Sequence, residues 1–434
     1  MKEHVETLPF QAGVAVRDMT PREPIWMGGF SFRDRPFEAV RTPLFARALA
    51  LTEASGDAGV VIVAMDHVGL SRELTREIEE TCATRFGWDR QRLILFCSHT
   101  HSGPSSWPSV WMEGGAEEIA KVEAHNRWMV GQIVEAVGEA LANRQPARLG
   151  FSQGLAGFGV NRRRARPGCR HFPGPVDQDI PVLRVVSAQG ETKAIVFGYA
   201  CHATSLADYD ISGDWPGFAC AAIGERHPGA TAFFIPGCGA DINPLPRLLP
   251  GREEALSRAY GGIMADAVEL ALTTDDSGQE RELSGPLTVH HGVTELFYDQ
   301  LPGEAEIAAL QQHPDADMRR SGRDLLTRLH SPEGLPVSLE YPAWVIRIGE
   351  LLWIALSGEV TVDYALTLKE RHGWDTTWVS AYASPTEAYF PSHRVWREGG
   401  YEGGDCLLRS SHPSRFREDG ETRILALMEG LISK

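Results

Sequence analysis

Short, continuous apolar runs punctuate this chain, and helical periods fill the intervals between them. "GVVIVAMDH" (59–67) and "RLILFCS" (92–98) are such runs, as are "AIVFGYAC" (194–201), "ATAFFIPG" (230–237), "ELLWIALSG" (350–358) and "TTWVSAY" (376–382). Apolar residues three and four apart mark helices over 74–86, 117–143, 253–274 and 361–373, and over the closing "ETRILALMEGLIS". An apolar run that does not alternate needs cover on both faces, which helices wrapped around a parallel sheet provide. The expectation is therefore an α/β fold, a mixed, largely parallel sheet with flanking helices. No internal repeat or low-complexity tract interrupts the 434 residues, so 1–434 reads as a single domain. The polar, turn-rich "DDSGQERELSGP" near 275–286 is the one candidate internal boundary.

The residues just past each run carry the functional signal. Asp66 and His67 come after the first, His99 and His101 after the second, His202 after the third, and Asp241 and Asn243 after the fourth. Glu359 comes after the fifth, and the sixth ends on Tyr382. One histidine beside a strand is most often a hydrogen-bonded structural residue, but six run ends bearing polar, mostly metal-capable groups point further. The carboxyl ends of strands are where α/β sheets bind ligands. Two imidazoles and a carboxylate suit a catalytic Zn²⁺, which keeps one position open to water or substrate, and His99, His202 and Glu359 make such a set. Neither HExxH nor paired CxxC occurs, so the site would exist only in the folded sheet.

The formal net charge of -16 sets the chain against nucleic acid and anionic lipid as main partners. No apolar run approaches the ~18–20 residues that span a bilayer. The opening "MKEHVETLPFQAGVAVRDMTP" lacks the basic and apolar regions of a signal peptide. Seven cysteines, an odd number without a CxxC pair, read as small buried hydrophobes in a reducing compartment. A cytoplasmic enzyme acting on a small molecule is the expectation. "PSSWPSVWM" (104–112) offers Trp107 and Trp111 either to the core or to the walls of an apolar pocket.

"HTHSGP" (99–104), "CHATSLADYDISGDWPG" (201–217), "GCGADINP" (237–244), "SGEVT" (357–361), "YASPTEAY" (382–389) and "YEGG" (401–404) stand in the order found in the neutral/alkaline ceramidase family. "GVAVRDMTP" (13–21) is similar to that family's opening strand, so the resemblance runs along nearly the whole chain. It implies an α/β catalytic domain with one zinc held by two His, one Glu and one Tyr. Matched motif by motif, these are His99, His202, Glu359 and Tyr382, while His101, Arg162 and Tyr401 match residues that contact the reacting group of the substrate.

Two departures qualify what the resemblance implies. The family's nucleophilic serine lies in Gly-Asp-Val-Ser-Pro-Asn, and here "ADINPL" (240–245) puts Asn243 in its place. An amide cannot form the acyl intermediate that a hydroxyl can. The chain also ends at Lys434, which leaves no room for the family's C-terminal sandwich domain. The expected function is a zinc-dependent hydrolase that cleaves an amide or ester bond through metal-bound water, whose pKa falls towards ~7. Arg162, His101 or Tyr401 would stabilise the oxyanion or protonate the leaving group, and Asn243 would hydrogen-bond the water or the carbonyl. Asp66 or Asp241 would orient a ligand histidine. Two other readings stay open: a zinc Lewis-acid isomerase or lyase, and a binding protein that kept the pocket and lost catalysis. "NRRRAR" (161–166) concentrates four arginines in an acidic chain. A solvated loop is the plainer reading of this run; the sharper expectation is that Arg162 faces the pocket and pairs with an anionic group of the substrate.

Overall fold

The structure, a computed structural model, describes residues 8–56, 58–107, 115–164, 174–273 and 280–434. All six apolar runs are strands and all five helical periods are helices. The first helix, Arg72–Phe86, shows why its ends hold: the Ser71 side chain accepts from Leu74 N, and Gly87 takes a left-handed φ of 63° at the other end.

The six strands form three strand–helix–strand units, each with its strands paired in parallel. Gly59–Met65 pairs with Leu93–Cys97, Thr192–Tyr199 with Thr231–Pro236, and Leu351–Ser357 with Thr377–Ala383. The helices Arg72–Phe86, Asp214–Arg226 and Asp363–His372 make the crossovers.

The largely parallel sheet, however, is corrected. The units are joined by antiparallel strands into one 13-stranded sheet in which antiparallel pairs predominate. Phe10–Asp18 and Phe45–Glu53 lie between the first two units together with Gln145–Leu155 and Asp179–Ser187. Ser338–Ile348 and Leu287–Phe297 extend the sheet beyond the third unit, and Arg281–Leu283 adds to Gln145–Leu155. Several of these strands are only half buried. Leu287–Phe297 ("LTVHHGVTELF") keeps most of its residues partly exposed, so it carries no continuous apolar run.

The sheet curls until Thr231–Pro236 touches Leu93–Cys97 and Thr377–Ala383. Its inner faces then share one core, in which Val60, Ile62, Val196, Phe233 and Ile235 meet the stacked pair Trp353 and Trp378, ring centroids 4.1 Å apart. Helices cover the outer faces: Arg72–Phe86 and Gly115–Ala142 on one part, Asp214–Arg226 and Glu253–Thr273 on a second, Asp363–His372 and Gly420–Ile432 on a third. Of the candidate boundary near 275–286, residues up to 279 lie outside the described part, and Arg281–Leu283 belongs to the main sheet. No helix among the described residues is long and apolar enough to cross a membrane. Cys82, Cys97, Cys201, Cys220, Cys238 and Cys406 are free and buried.

Candidate metal centre and active site

The loops at the carboxyl ends of the three units converge. His99 stands two residues past Leu93–Cys97 with φ 59°, and Tyr382 sits in a left-handed conformation, φ 58°, near the end of Thr377–Ala383. Left-handed backbone is costly for bulky residues and persists only where the surroundings impose it. At Tyr382 the cause is visible. The parallel register slips between Ala355 and Ser357, Gly358 turns at φ 69°, and Tyr382 N donates to Gly358 O at 3.0 Å.

Hydrogen bonds fix two of the imidazoles. His99 Nδ1 donates to Val68 O at 2.5 Å, and His202 Nδ1 faces Gly239 O at 2.6 Å and Ile242 O at 3.2 Å. A carbonyl only accepts, so each Nδ1 holds the proton, and in the neutral ring each Nε2 presents a lone pair. Both lone pairs point at one carboxylate oxygen: Glu359 Oε2 lies 3.2 Å from His99 Nε2 and 3.3 Å from His202 Nε2. His101 Nε2 is 3.1 Å from His99 Nε2. His99, His101 and His202 together could hold a metal ion. Three buried polar atoms at this one place have no hydrogen-bond partner among the described residues: Glu359 Oε2, His101 Nδ1 and Tyr382 OH.

These acceptors repel one another unless a ring takes a second proton or a cation sits among them. Burial opposes the second proton. Burial first, then the charge of Arg162, push His202 down to about 4, and burial holds His101 well below its ordinary value. Imidazole nitrogen, carboxylate oxygen and a phenol close by are a donor set that fits zinc. The Tyr382 ring lies 4.7 Å from that of His99 and contributes the phenol.

The orienting groups differ from those expected. Asp66 Oδ2 accepts from Phe45 N at 3.0 Å and Arg47 Nη1 at 2.9 Å. Asp241 accepts from Val362 N at 2.9 Å and Asn161 Nδ2 at 2.8 Å. Neither reaches an imidazole; the carbonyls of Val68 and Gly239 do that work.

The arginine cluster is answered largely within the chain. Arg162 Nε donates to Glu402 Oε1 at 2.6 Å, and Arg163 reaches Glu402 at 2.5 Å and Glu398 at 3.2 Å. Arg164 pairs with Glu398, and Arg166 lies outside the described residues. The charge concentration therefore has internal partners and needs no substrate anion to explain it. Arg162 keeps Nη1 towards the Asn243 amide at 3.5 Å and Nη2 towards Tyr389 OH at 3.4 Å. Asn243 sits beside it because Ile242–Pro244 pairs antiparallel with Gly159–Asn161.

A cavity of about 130 Å³ opens onto His99, His101 and Glu359, walled by Trp107, Tyr389, Tyr401 and Leu407. Tyr401 stands at the mouth, 45% exposed, its ring 5.4 Å from that of Tyr389. Trp111 lies outside the described residues.

Four residues of this site received no role from the sequence. Tyr389 and Glu402 were visible, ending "YASPTEAY" and lying inside "YEGG", but their partners were not. Arg33 holds the His101 carbonyl through Nη1 at 2.5 Å and Gly28 O at 2.8 Å. Gly29, at φ 89°, lets the backbone press against His101; a Cβ there would intrude on the ring, 2.7 Å from Nδ1. Gly29→Ala is therefore expected to displace His101 and lower kcat by about 10²-fold, the cost of a misplacement of ~1 Å. Turnover measured beside metal content checks this, with metal retained.

Among solved structures, the fold matches that of neutral ceramidase from Pseudomonas aeruginosa with a TM-score of 0.75 at 20% identity, over 98% of this chain and 74% of that one. A ceramidase solved in complex with C2 matches equally, TM-score 0.75 at 19% identity. The fold is thus that of the ceramidases. The family profile for the N-terminal part of neutral/alkaline non-lysosomal ceramidases matches residues 10–234, just over half of the chain, and the chain belongs to that family. In sequence it is 25% identical to the neutral ceramidase of Pseudomonas aeruginosa over 58% of this chain, an alignment that spans 39% of that protein. It is 24% identical to the neutral ceramidase of Mycobacterium tuberculosis over 88% of this chain and 71% of that protein.

Proposed function

We propose that this chain is a zinc-dependent hydrolase that cleaves an amide bond of a small molecule. One observation carries the reading: the lone pairs of His99 Nε2 and His202 Nε2 converge on Glu359 Oε2 at 3.2 and 3.3 Å. Those three residues and Tyr382 are the proposed ligands. Zinc held there would supply a Lewis acid and an acidified water at an open position.

His101 has the other character. Its Nδ1 has no partner among the described residues, where no carbonyl locks its tautomer, and burial keeps the ring neutral. It is the group suited to take a proton and hand it to the leaving nitrogen. Arg162, pinned at Nε by Glu402, turns Nη1 and Nη2 towards Asn243 and Tyr389 and offers a fixed charged edge to an oxyanion. Tyr401 at the mouth adds a second donor. Asn243 orients and does not attack, since an amide makes no acyl intermediate. Trp107 and Leu407 help to keep bulk water from the reacting bond. The relatives named as ceramidases support amide chemistry, and the exchange of serine for Asn243 favours a different small amide over ceramide.

Chain purified without added metal should contain about one zinc by elemental analysis. Turnover of an amide panel in ¹⁸O-labelled water should place label in the carboxylate product. A chain that neither carries nor takes up zinc, or a product without label, overturns the reading.

A further inference from the structure

On the side of Asn243 away from Arg162 lies a second guanidinium. With its amide oxygen facing Arg247, Asn243 accepts from Arg247 Nη2 at 3.1 Å and Nε at 3.3 Å. Among the described residues, the other hydrogen bond of Arg247 is a long one, Nη1 to Thr204 O at 3.4 Å. Arg162, Arg163 and Arg164 each have a glutamate, but among the described residues no carboxylate pairs with Arg247. Burial, and after it the charge of Arg162, pull its pKa down, against the smaller opposing influence of Cys201 and Asp214.

Asn243 cannot serve both arginines. An amide has one acceptor oxygen, and when that oxygen faces Arg247 the NH₂ group is presented to Arg162, donor against donor. The trio therefore lacks an acceptor. It also stands beside His202, a proposed metal ligand, whose N donates to the carbonyl of Ile242, the residue before Asn243. Thr204, whose carbonyl Arg247 approaches, is preceded by Ala203, whose carbonyl accepts from His101 N at 3.3 Å, and His202 precedes both. Arg247 and His101 thus approach successive carbonyls just after a proposed metal ligand.

We propose that Arg247 is the specificity-determining residue of the site, and that the amide cleaved bears a carboxylate close to the scissile bond, as in an N-acylated amino acid. The inference rests on the hydrolase reading above. A carboxylate supplies the missing acceptor oxygens, and it can take the Nη1–Nη2 edge of Arg247, since Asn243 occupies the Nε side and the Nη1 contact to Thr204 O is long. The same arrangement accounts for Asn243: a polar amide next to Arg247 holds the fork in place.

The test compares N-hexanoylglycine with N-hexanoylethanolamine, which differ only in a carboxylate against a hydroxymethyl group. Wild-type kcat/KM should favour the glycine conjugate by about tenfold or more. Arg247→Gln should cut that preference by about 10- to 150-fold, the range for hydrogen bonds to a charged group, and Arg247→Lys should cut it less. Equal turnover of the two amides by wild type, or a preference that survives both variants, overturns the proposal. Should the Gln variant fail to fold, the Lys variant decides by the same ratio. Calorimetric titration of both compounds runs alongside. If wild type cleaves neither amide, the hydrolase reading is judged separately, by the zinc content and the labelled amide panel. The titration then still decides on Arg247: tighter binding of the glycine conjugate that is lost in the variant supports it, and equal or absent binding overturns it.

Discussion

Glu359→Gln should abolish metal retention and lower turnover by about 10³-fold or more. The substitution keeps the shape of the side chain and removes its charge. In the wild type a carboxylate oxygen lies 3.2 Å from His99 Nε2 and 3.3 Å from His202 Nε2, and both imidazoles have their Nδ1 protons committed to carbonyls. A cation among these atoms is favoured by one formal negative charge, and the amide takes that away. The several kcal/mol of charge stabilisation that a catalytic metal supplies convert to the stated loss of rate. Zinc content after dialysis against a weak chelator, read beside kcat, checks the result. A variant that keeps stoichiometric zinc and wild-type turnover would remove Glu359 from the ligand set. The fold itself should survive, because Gln introduces no new buried charge and its amide can donate to the lone pairs that the carboxylate oxygen only repelled.

The site was legible in the sequence for a physical reason. The strands that show as unbroken apolar runs are those buried on both faces, and these are the strands of the three parallel units. Their carboxyl ends deliver His99, His202, Glu359 and Tyr382, so the rule that located the strands also located the ligand candidates. The antiparallel strands between and beyond the units do not stand out. Leu287–Phe297 and Gln145–Leu155 each have exposed or half-exposed positions that break the run, and without them the sheet reads as largely parallel.

The groups that orient the imidazoles were hidden for another reason. A backbone carbonyl such as that of Val68 or Gly239 leaves no mark in residue type, whereas Asp66 and Asp241 are conspicuous and turn out to serve Arg47 and Asn161. The arginine cluster was visible as an excess of charge. Its partner Glu402 lies 240 positions further on, beyond any local pattern.

That partnership carries the largest effect expected on stability. Glu402 is 3% exposed at its side chain, Arg163 5% and Arg162 21%, so the carboxylate holds two guanidinium groups largely out of water. Glu402→Ala would leave both without it. Arg163 would retain Glu398 at 3.2 Å, and among the described residues Arg162 would be left with the long contacts to Asn243 and Tyr389 and the rings of Tyr389 and Tyr401. Removing one partner of a buried ion pair costs about 3–5 kcal/mol, and the variant should unfold correspondingly earlier in urea at neutral pH. The effect has a sign in pH. Burial alone would raise the Glu402 carboxyl, but Arg162 and its hydrogen bonds prevail and lower it below the ordinary value. A carboxyl lowered in the folded state stabilises the fold above its unfolded pKa, and that contribution is lost as pH falls through the folded value. The stability gap between wild type and Glu402→Ala should therefore be constant near neutrality and shrink in acid, below the unfolded carboxyl pKa of about 4.3. A gap that widens on acidification, or one under about 1 kcal/mol at neutral pH, would mean that solvent reaches the two arginines and that Glu402 does not hold Arg162 in the site.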